Sequence, residues 1–252
     1  MKKEDLKLLA QETIEISKKI NTENSNYILF DKPIKLNTTP NKSKAKIELF
    51  DESTIRAIYR YKNEKLGVLN FASAKHPAGG FLVGSMAQEE CLAYCSNLYV
   101  KQCENALEYY DFHNNTYLPL YSDLMFIDNV TFFRNENLER ADFVECKVLT
   151  SAAVNTIVAK KNNITDEDIY KAMKNRMKKI LQCFVVSDCK VIVLGAFGCG
   201  VFGNSSEKIA EIWYDLLYNE DFIYYFDKIC FSVLDGGKNN NFKAFENIFK
   251  NR

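Results

Sequence analysis

The sequence predicts a three-layered α/β fold with a helical extension at its start, and two observations carry this. Short apolar runs rich in β-branched and aromatic residues alternate with longer stretches whose apolar residues recur at helical spacing, the pattern of strands covered by helices. With 252 residues, 47% of them hydrophobic, the chain can bury one substantial core, and no stretch resembles a linker between folding units. A single domain over residues 1–252 is therefore expected.

The opening stretch MKKEDLKLLAQETIEISKKI has apolar residues at helical spacing with charges throughout, unlike a signal peptide. Residues 21–44, rich in Asn, Thr, Ser and Pro, read as an irregular arm, so 1–45 forms a helix and arm ahead of the sheet. Strand runs follow at KLGVLNFAS, VTFFR, DFVECKVLTSAA, KVIVLGAF and KICFSVLD. Between them lie a helix from about Met86 to Tyr110, another opening at TDED with Thr165 as its cap, and a third beginning near Ser205. The KNNN patch at 238–241, with Phe242 after it, reads as a solvated loop.

Composition narrows the function. Thirty-three basic residues balance 33 acidic ones, so bulk charge recruits neither nucleic acid nor anionic lipid. No apolar run approaches the ~18 residues of a membrane span, and a cytoplasmic protein is expected. The eight cysteines form no CxxC pair and read as buried free thiols. With His76 and His113 the only histidines, a histidine-based metal site or a Ser/His/Asp triad lacks material. Neither cofactor nor metal is expected.

Two glycine-rich loops each join the end of a strand run to the start of a helix. Glycine lets backbone N–H groups converge on a phosphate, and the following helix adds the positive end of its dipole. The second loop, GCGVFGN at 198–204, matches the GxGxxG dinucleotide fingerprint, but it falls where about one strand of sheet remains rather than at the opening of a Rossmann unit. What it retains is a diphosphate cradle. The first loop, AGGFLVGSMAQEE at 78–90, ends in Gln88, Glu89 and Glu90 within the first turn of a helix. Such carboxylates are commonly just favourable helix starts. Facing a second phosphate-type loop, however, one of them would have its pKa raised by like charge, as a general acid near pH 7 requires.

These residues carry a resemblance. VLNFASAKHPAGGFLVGSMAQEE, LYSDLMFIDNVTFFR and VIVLGAFGCGVFGN resemble the bacterial-type poly(ADP-ribose) glycohydrolases, from the LAQETIEI helix to ICFSVLD. The resemblance implies a macrodomain, a mixed sheet between helices, with poly(ADP-ribose) or an ADP-ribosylated macromolecule as substrate and ADP-ribose as product. It implies Glu90 as the catalytic acid, Glu89 on the ribose hydroxyls and Gln88 in support. Gly79, Gly80, Phe81 and Gly84 fall in the first loop, expected against the diphosphate and distal ribose. Gly198, Cys199, Gly200, Val201 and Gly203 fall in the diphosphate loop, and Phe202 is expected against the ribose to be cleaved. Asn70 and Ser73 are further sugar contacts; Phe71 and Phe81 read equally well as core, and Phe132 and Phe197 read as core. The chain departs from the pattern at Ala78, where the family has glycine, and a methyl there is expected to crowd the diphosphate unless that position has φ below zero. Removal of single ADP-ribose units from protein or nucleic acid, and non-catalytic ADP-ribose binding, are the alternatives.

Overall fold

The computed structural model describes residues 1–20, 27–235 and 240–250. Helix α1 (Lys3–Ser17) opens the chain, followed by two short strands, β1 (Ile28–Phe30) and β2 (Lys46–Phe50). Helix α2 (Thr54–Arg60), capped by Ser53 whose hydroxyl accepts the Arg56 N–H, leads to strand β3 (Leu66–Phe71). Three helices follow, α3 (Gln88–Cys95), α4 (Leu98–Asn105) and α5 (Leu107–Asn115), then the long strands β4 (Met125–Arg134) and β5 (Arg140–Ser151). The remainder alternates: α6 (Thr156–Lys161), α7 (Asp166–Val186), β6 (Val191–Leu194), α8 (Ser206–Tyr214), β7 (Lys228–Ser232) and α9 (Asn241–Phe249).

The strands form one mixed seven-stranded sheet in the order β1-β4-β5-β3-β6-β7-β2. Strands β1, β4 and β5 pair antiparallel, whereas every pairing from β5 across to β2 is parallel. Alternation sets the faces. Leu69, Leu149, Ile192 and Phe231 join the core formed with α7, α8 and α9, and Val68, Val148, Val193 and Cys230 join the core formed with α2 and α3. The three-layered expectation therefore holds. Gly67 is required by close approach, because a Cβ there would lie 2.6 Å from Cδ1 of Phe184 on α7. Strands β3, β5, β6 and β7 all run the same way, and a crevice opens beyond their carboxyl ends, where ligands of open α/β sheets are bound.

Several expectations are corrected. The helix read from Met86 to Tyr110 is three helices, because Ser96 leaves the helical conformation and bridges Phe132, while Asn97 exchanges hydrogen bonds with Thr131 of β4. The arm contains β1, a three-residue edge strand too short to show alternation; residues 21–26 of it lie outside the described residues. The patch read as a loop at 238–242 is partly helix, since α9 starts at Asn241, and 238–239 lie outside the described residues. Among the described residues no helix is long and apolar enough to cross a membrane.

Candidate active site

The ladder between β3 and β6 ends at the Val68–Val193 pair. Beyond it the side chain of Gln88, the first residue of α3, takes the place of a strand. Its Oε1 accepts the Phe71 N–H at 2.9 Å and its Nε2 donates to the Leu69 carbonyl at 2.8 Å. An amide side chain offers the same donor and acceptor as a peptide group, so it closes the split in the sheet and fixes the helix start to β3.

The next two residues are buried carboxyl groups, Glu89 3% and Glu90 7% exposed. Glu89 Oε2 accepts the Ser73 N–H at 2.7 Å, and Oε1 accepts from Asn70 Nδ2 at 3.0 Å and Gln102 Nε2 at 3.4 Å. Glu90 completes a capping arrangement: Oε2 accepts the Ala87 N–H and Oε1 the Gly80 N–H, both at 2.8 Å. Burial pushes the Glu89 pKa up to about 8; the N–H of Ser73 and the side chain of Asn70 pull it down, and the charge of Glu90 raises it. Like charge, expected from sequence as the cause, is thus secondary to desolvation.

The first loop is shaped from behind. Gly80 N–H anchors Glu90, Phe81 is fully buried against Tyr94 and Tyr99, and the Tyr94 hydroxyl reaches the carbonyls of Phe81 at 3.0 Å and Ser85 at 3.2 Å. Gly84 has φ +78°, and a Cβ on it would lie 2.5 Å from the Lys3 carbonyl at the start of α1. Ala78 has φ +52° and is fully buried with Leu6, Ala10, Phe81, Ala93 and Tyr94; its N–H donates to Gln102 Oε1 at 2.6 Å. Its φ is positive, yet it is buried among residues of α1 and α3 and does not line the cleft.

The second loop closes on itself through Cys199 N–H to Ala196 O, Gly203 N–H to Gly200 O and Asn204 N–H to Gly198 O. The N–H groups of Gly200, Val201 and Phe202 take part in none of these closures. Gly198 has φ +76° and is walled by Ala153 and Asn204, and Gly203, with φ +70°, is walled by Thr156 and Ile157. Gly200 differs, since a Cβ there would meet nothing within 4 Å. Helix α8 begins directly behind, with the Ser205 hydroxyl accepting the Lys208 N–H.

Between the loops lies a cleft of about 440 Å³. Of the residues singled out from sequence it brings together Ser73, Gly79, Gln88, Glu89 and Glu90 on one wall and Gly198, Gly200, Val201 and Phe202 on the other. Gly80, Phe81 and Gly84 of the first loop do not line the cleft. Asn70 is fully buried beneath Glu89, Gly203 faces α6, and Cys199 opens onto a second hollow of about 400 Å³. That hollow shares Phe71, Ala87, Gln88, Ala196 and Gly200 with the cleft and continues past Val233 and Leu234. Phe197 is core, its ring tilted against that of Phe71 at 5.7 Å, and Phe132 is core on the opposite face. Sequence reasoning did not single out Gln102, which ties Glu89 to Ala78, or Tyr121, which lines the cleft. Tyr121 stood inside the quoted LYSD stretch without a role, and Gln102 carried no local signal.

Residues 1–135 match the family model described as "Microbial-type PARG, catalytic domain". The fold is similar to that of poly(ADP-ribose) glycohydrolase from Thermomonospora curvata, with a TM-score of 0.88 and 29% identity over 98% of this chain and 100% of that one. It is similar to the same enzyme bound to the inhibitor ADP-HPD, with a TM-score of 0.85 and 28% identity over the same shares of the two chains. It also resembles poly(ADP-ribose) glycohydrolase from Deinococcus radiodurans in complex with ADP-ribose, with a TM-score of 0.79 and 27% identity over 98% of this chain and 91% of that one. No curated protein matches the chain. Two glycine loops across a cleft from a buried QEE helix start, together with the family match over more than half its length, lead to one assignment: the chain belongs to the microbial-type poly(ADP-ribose) glycohydrolase catalytic-domain family.

Proposed function

We propose that this protein hydrolyses the O-glycosidic bond between riboses in poly(ADP-ribose), releasing ADP-ribose, with Glu90 as proton donor. The observation that carries the reading is the pair of buried carboxyl groups at the start of α3, facing across the cleft a loop whose N–H groups and helix start suit a diphosphate. The two joined hollows, of about 440 and 400 Å³, offer ADP-ribose an extended site. The distal ribose lies over Glu89 and Glu90, the diphosphate against residues 198–202, and the adenosine in the hollow beyond Gly200.

Breaking the bond builds positive charge on the anomeric carbon and negative charge on the leaving oxygen. Protonated Glu90 donates its proton to that oxygen as the bond stretches. The resulting carboxylate accepts a proton from water as the water oxygen bonds to the anomeric carbon, which returns the acid. The substrate's own diphosphate steadies the oxocarbenium, so Glu89 is not needed as a nucleophile. Burial keeps the Glu89 carboxyl group protonated up to about pH 8. Three N–H donors surround the oxygens of Glu89 and two surround those of Glu90. These donors hold the two groups in place, Glu89 against the ribose hydroxyls and Glu90 as the acid in this reading. Asn70, Ser73 and Gln102 orient Glu89. Residues 1–252 work as one unit in this reading, because α1 backs the first loop, and the eight unpaired thiols suit a reducing cytoplasm.

The test is to incubate the protein separately with poly(ADP-ribose), mono-ADP-ribosylated protein and mono-ADP-ribosylated DNA, and to identify the products. ADP-ribose released from the polymer is expected. Release from the mono-modified substrates alone would replace the reading with mono-ADP-ribose hydrolysis, and binding without release would make the protein a reader.

A further inference from the structure

The mechanism above leaves unused one segment that is held more firmly than a surface turn requires. Residues 120–123, between α5 and β4, are gripped by Arg176 of α7, itself 1% exposed. Its Nη2 donates to the carbonyls of Leu120 at 2.9 Å and Tyr121 at 3.3 Å, its Nη1 to Ala152 O at 2.9 Å, and its Nε to Asp123 Oδ1 at 3.1 Å. From the other side comes His113 of α5, 2% exposed. Its Nδ1 lies 2.8 Å from the Tyr109 carbonyl, which can only accept, so Nδ1 carries the hydrogen. Nε2 is then the acceptor for the Ser122 N–H at 3.3 Å and the Ser122 hydroxyl at 2.9 Å. Between these two pins Tyr121 has φ +57°. A non-glycine residue held there is strained, and such strain persists where the surroundings over-determine it, characteristically at binding sites.

What the strained conformation delivers is the Tyr121 side chain. It lines the cleft with its ring 6.1 Å from that of Phe202, at the end of the second glycine loop. Burial raises the pKa of the phenol, and the Asn155 side chain, which lies beside its hydroxyl, holds it down against that rise. Asn155 uses its oxygen to cap α6 by accepting the Val158 N–H, which leaves the amide to donate to Tyr121. A phenol oxygen that accepts one hydrogen bond turns its own proton elsewhere, and the accepted bond strengthens that proton as a donor. The opposite wall carries Glu89 and Glu90, the side-chain cation lining the cleft is the exposed Lys75, and the Arg176 guanidinium lies directly behind the Tyr121 backbone. An anion suits this end of the cleft.

We propose that Tyr121 is a further substrate-contacting residue, its hydroxyl donating to an oxygen of the diphosphate at the second glycine loop, and that Arg176 and His113 are positioning residues acting through it. This rests on the reading of the cleft as an ADP-ribose site. The test is Tyr121→Phe in the full chain, measuring affinity for ADP-ribose and for ADP, kinetics on poly(ADP-ribose), and melting temperature. Both affinities are expected to fall about tenfold, the size of one hydrogen bond to a charged group, with KM rising in step, kcat within about threefold, and melting unchanged. A loss for ADP-ribose without a loss for ADP would overturn the diphosphate contact. Unchanged affinity for both, in a protein whose wild type binds ADP-ribose, would overturn the role of Tyr121. A wild type that neither binds ADP-ribose nor cleaves the polymer would remove the proposed function and this inference with it. For the positioning residues, Arg176→Lys, or His113→Gln where the former does not fold, is expected to raise KM severalfold alone and by less than about twofold in the Tyr121→Phe background. Equal increments in both backgrounds would leave these residues a purely structural role.

Discussion

Gly79 lies over the paired carboxyl groups: a Cβ built on it would stand 2.6 Å from Glu90 Oε1 and 3.1 Å from Glu89 Oε2, and its φ is +56°. Glycine is required there twice, by the left-handed backbone and by the oxygens beneath. Gly79→Ala is expected to displace Glu90 and lower turnover on poly(ADP-ribose) by on the order of 10²-fold, the scale on which misplaced catalytic groups lose rate. Steady-state kinetics beside a circular dichroism spectrum will show it, and turnover within twofold of wild type would refute the placement.

Glu90→Gln separates the acid from the cap. The amide offers one oxygen to the two N–H groups of Gly80 and Ala87, so one bond is lost at about 1 kcal/mol of stability while the helix start survives. Turnover is expected to fall by about 10² to 10⁴ with ADP-ribose binding retained. Calorimetry with ADP-ribose together with product release distinguishes the two effects, and near wild-type hydrolysis would place the acid elsewhere.

The buried Glu89 also sets a pH dependence of stability. Its pKa rises from the ordinary 4.5 to about 8 on folding, so between these values the folded chain binds more protons than the unfolded one. The stabilisation is complete below about pH 4.5 and is lost as pH rises through about 8. Glu89→Gln removes this slope. Denaturation midpoints of both proteins from pH 6 to 9 are expected to converge at the acid end and diverge at the alkaline end, with the variant the more stable there. His113 works in the opposite sense, because burial lowers its pKa and its contribution fades as pH falls below about 6.5.

Gly200→Ala tests the second loop. Nothing in the protein lies within 4 Å of the added methyl, so the fold is expected to melt at the wild-type temperature or slightly above. ADP-ribose affinity is expected to fall about tenfold or more if the ligand backbone approaches this point as closely as proposed. An unchanged dissociation constant would move the diphosphate away from Gly200.

Ala78→Gly is expected to leave ADP-ribose affinity within about twofold, because the methyl faces α1. Its effect belongs to stability, where relief of a positive φ opposes the loss of a buried methyl worth about 1 kcal/mol. A tenfold change in affinity would contradict this orientation.

The parts of the site that are contiguous in the chain were legible from sequence. Gln88, Glu89 and Glu90 follow a glycine loop at a helix start, and residues 198–204 repeat the pattern. The sheet centre was legible for the same local reason, since strands buried on both faces read as apolar runs. What tertiary contact decides was not. Gln102 reaches Glu89 from the next helix, Arg176 reaches Tyr121 across 55 residues, and the helix break at Ser96 arises because Asn97 bonds Thr131 of β4. Strands β1 and β2 occupy the two edges of the sheet and are too short or too exposed for alternation to register. The side of the loop that the Ala78 methyl faces was not legible, because a φ value does not settle it.

Helix α1 gives the first loop a backstop. Lys3 abuts Gly84, Leu6 and Ala10 pack on Ala78 and Phe81, and the Thr13 hydroxyl and Arg134 both reach the Tyr94 carbonyl, on the residue whose hydroxyl grips that loop. Glu90 is therefore clamped from two sides, by its own helix and, through Gly80, by a layer that the first seventeen residues supply. Clipping the chain after Ser17 would leave the carboxyl groups, the sheet and the diphosphate loop untouched in covalent structure, yet free the loop that holds the acid at its working height. In the proposed mechanism the amino terminus, remote from the reacting bond, is thus a support whose loss is expected to lower turnover more than ligand affinity.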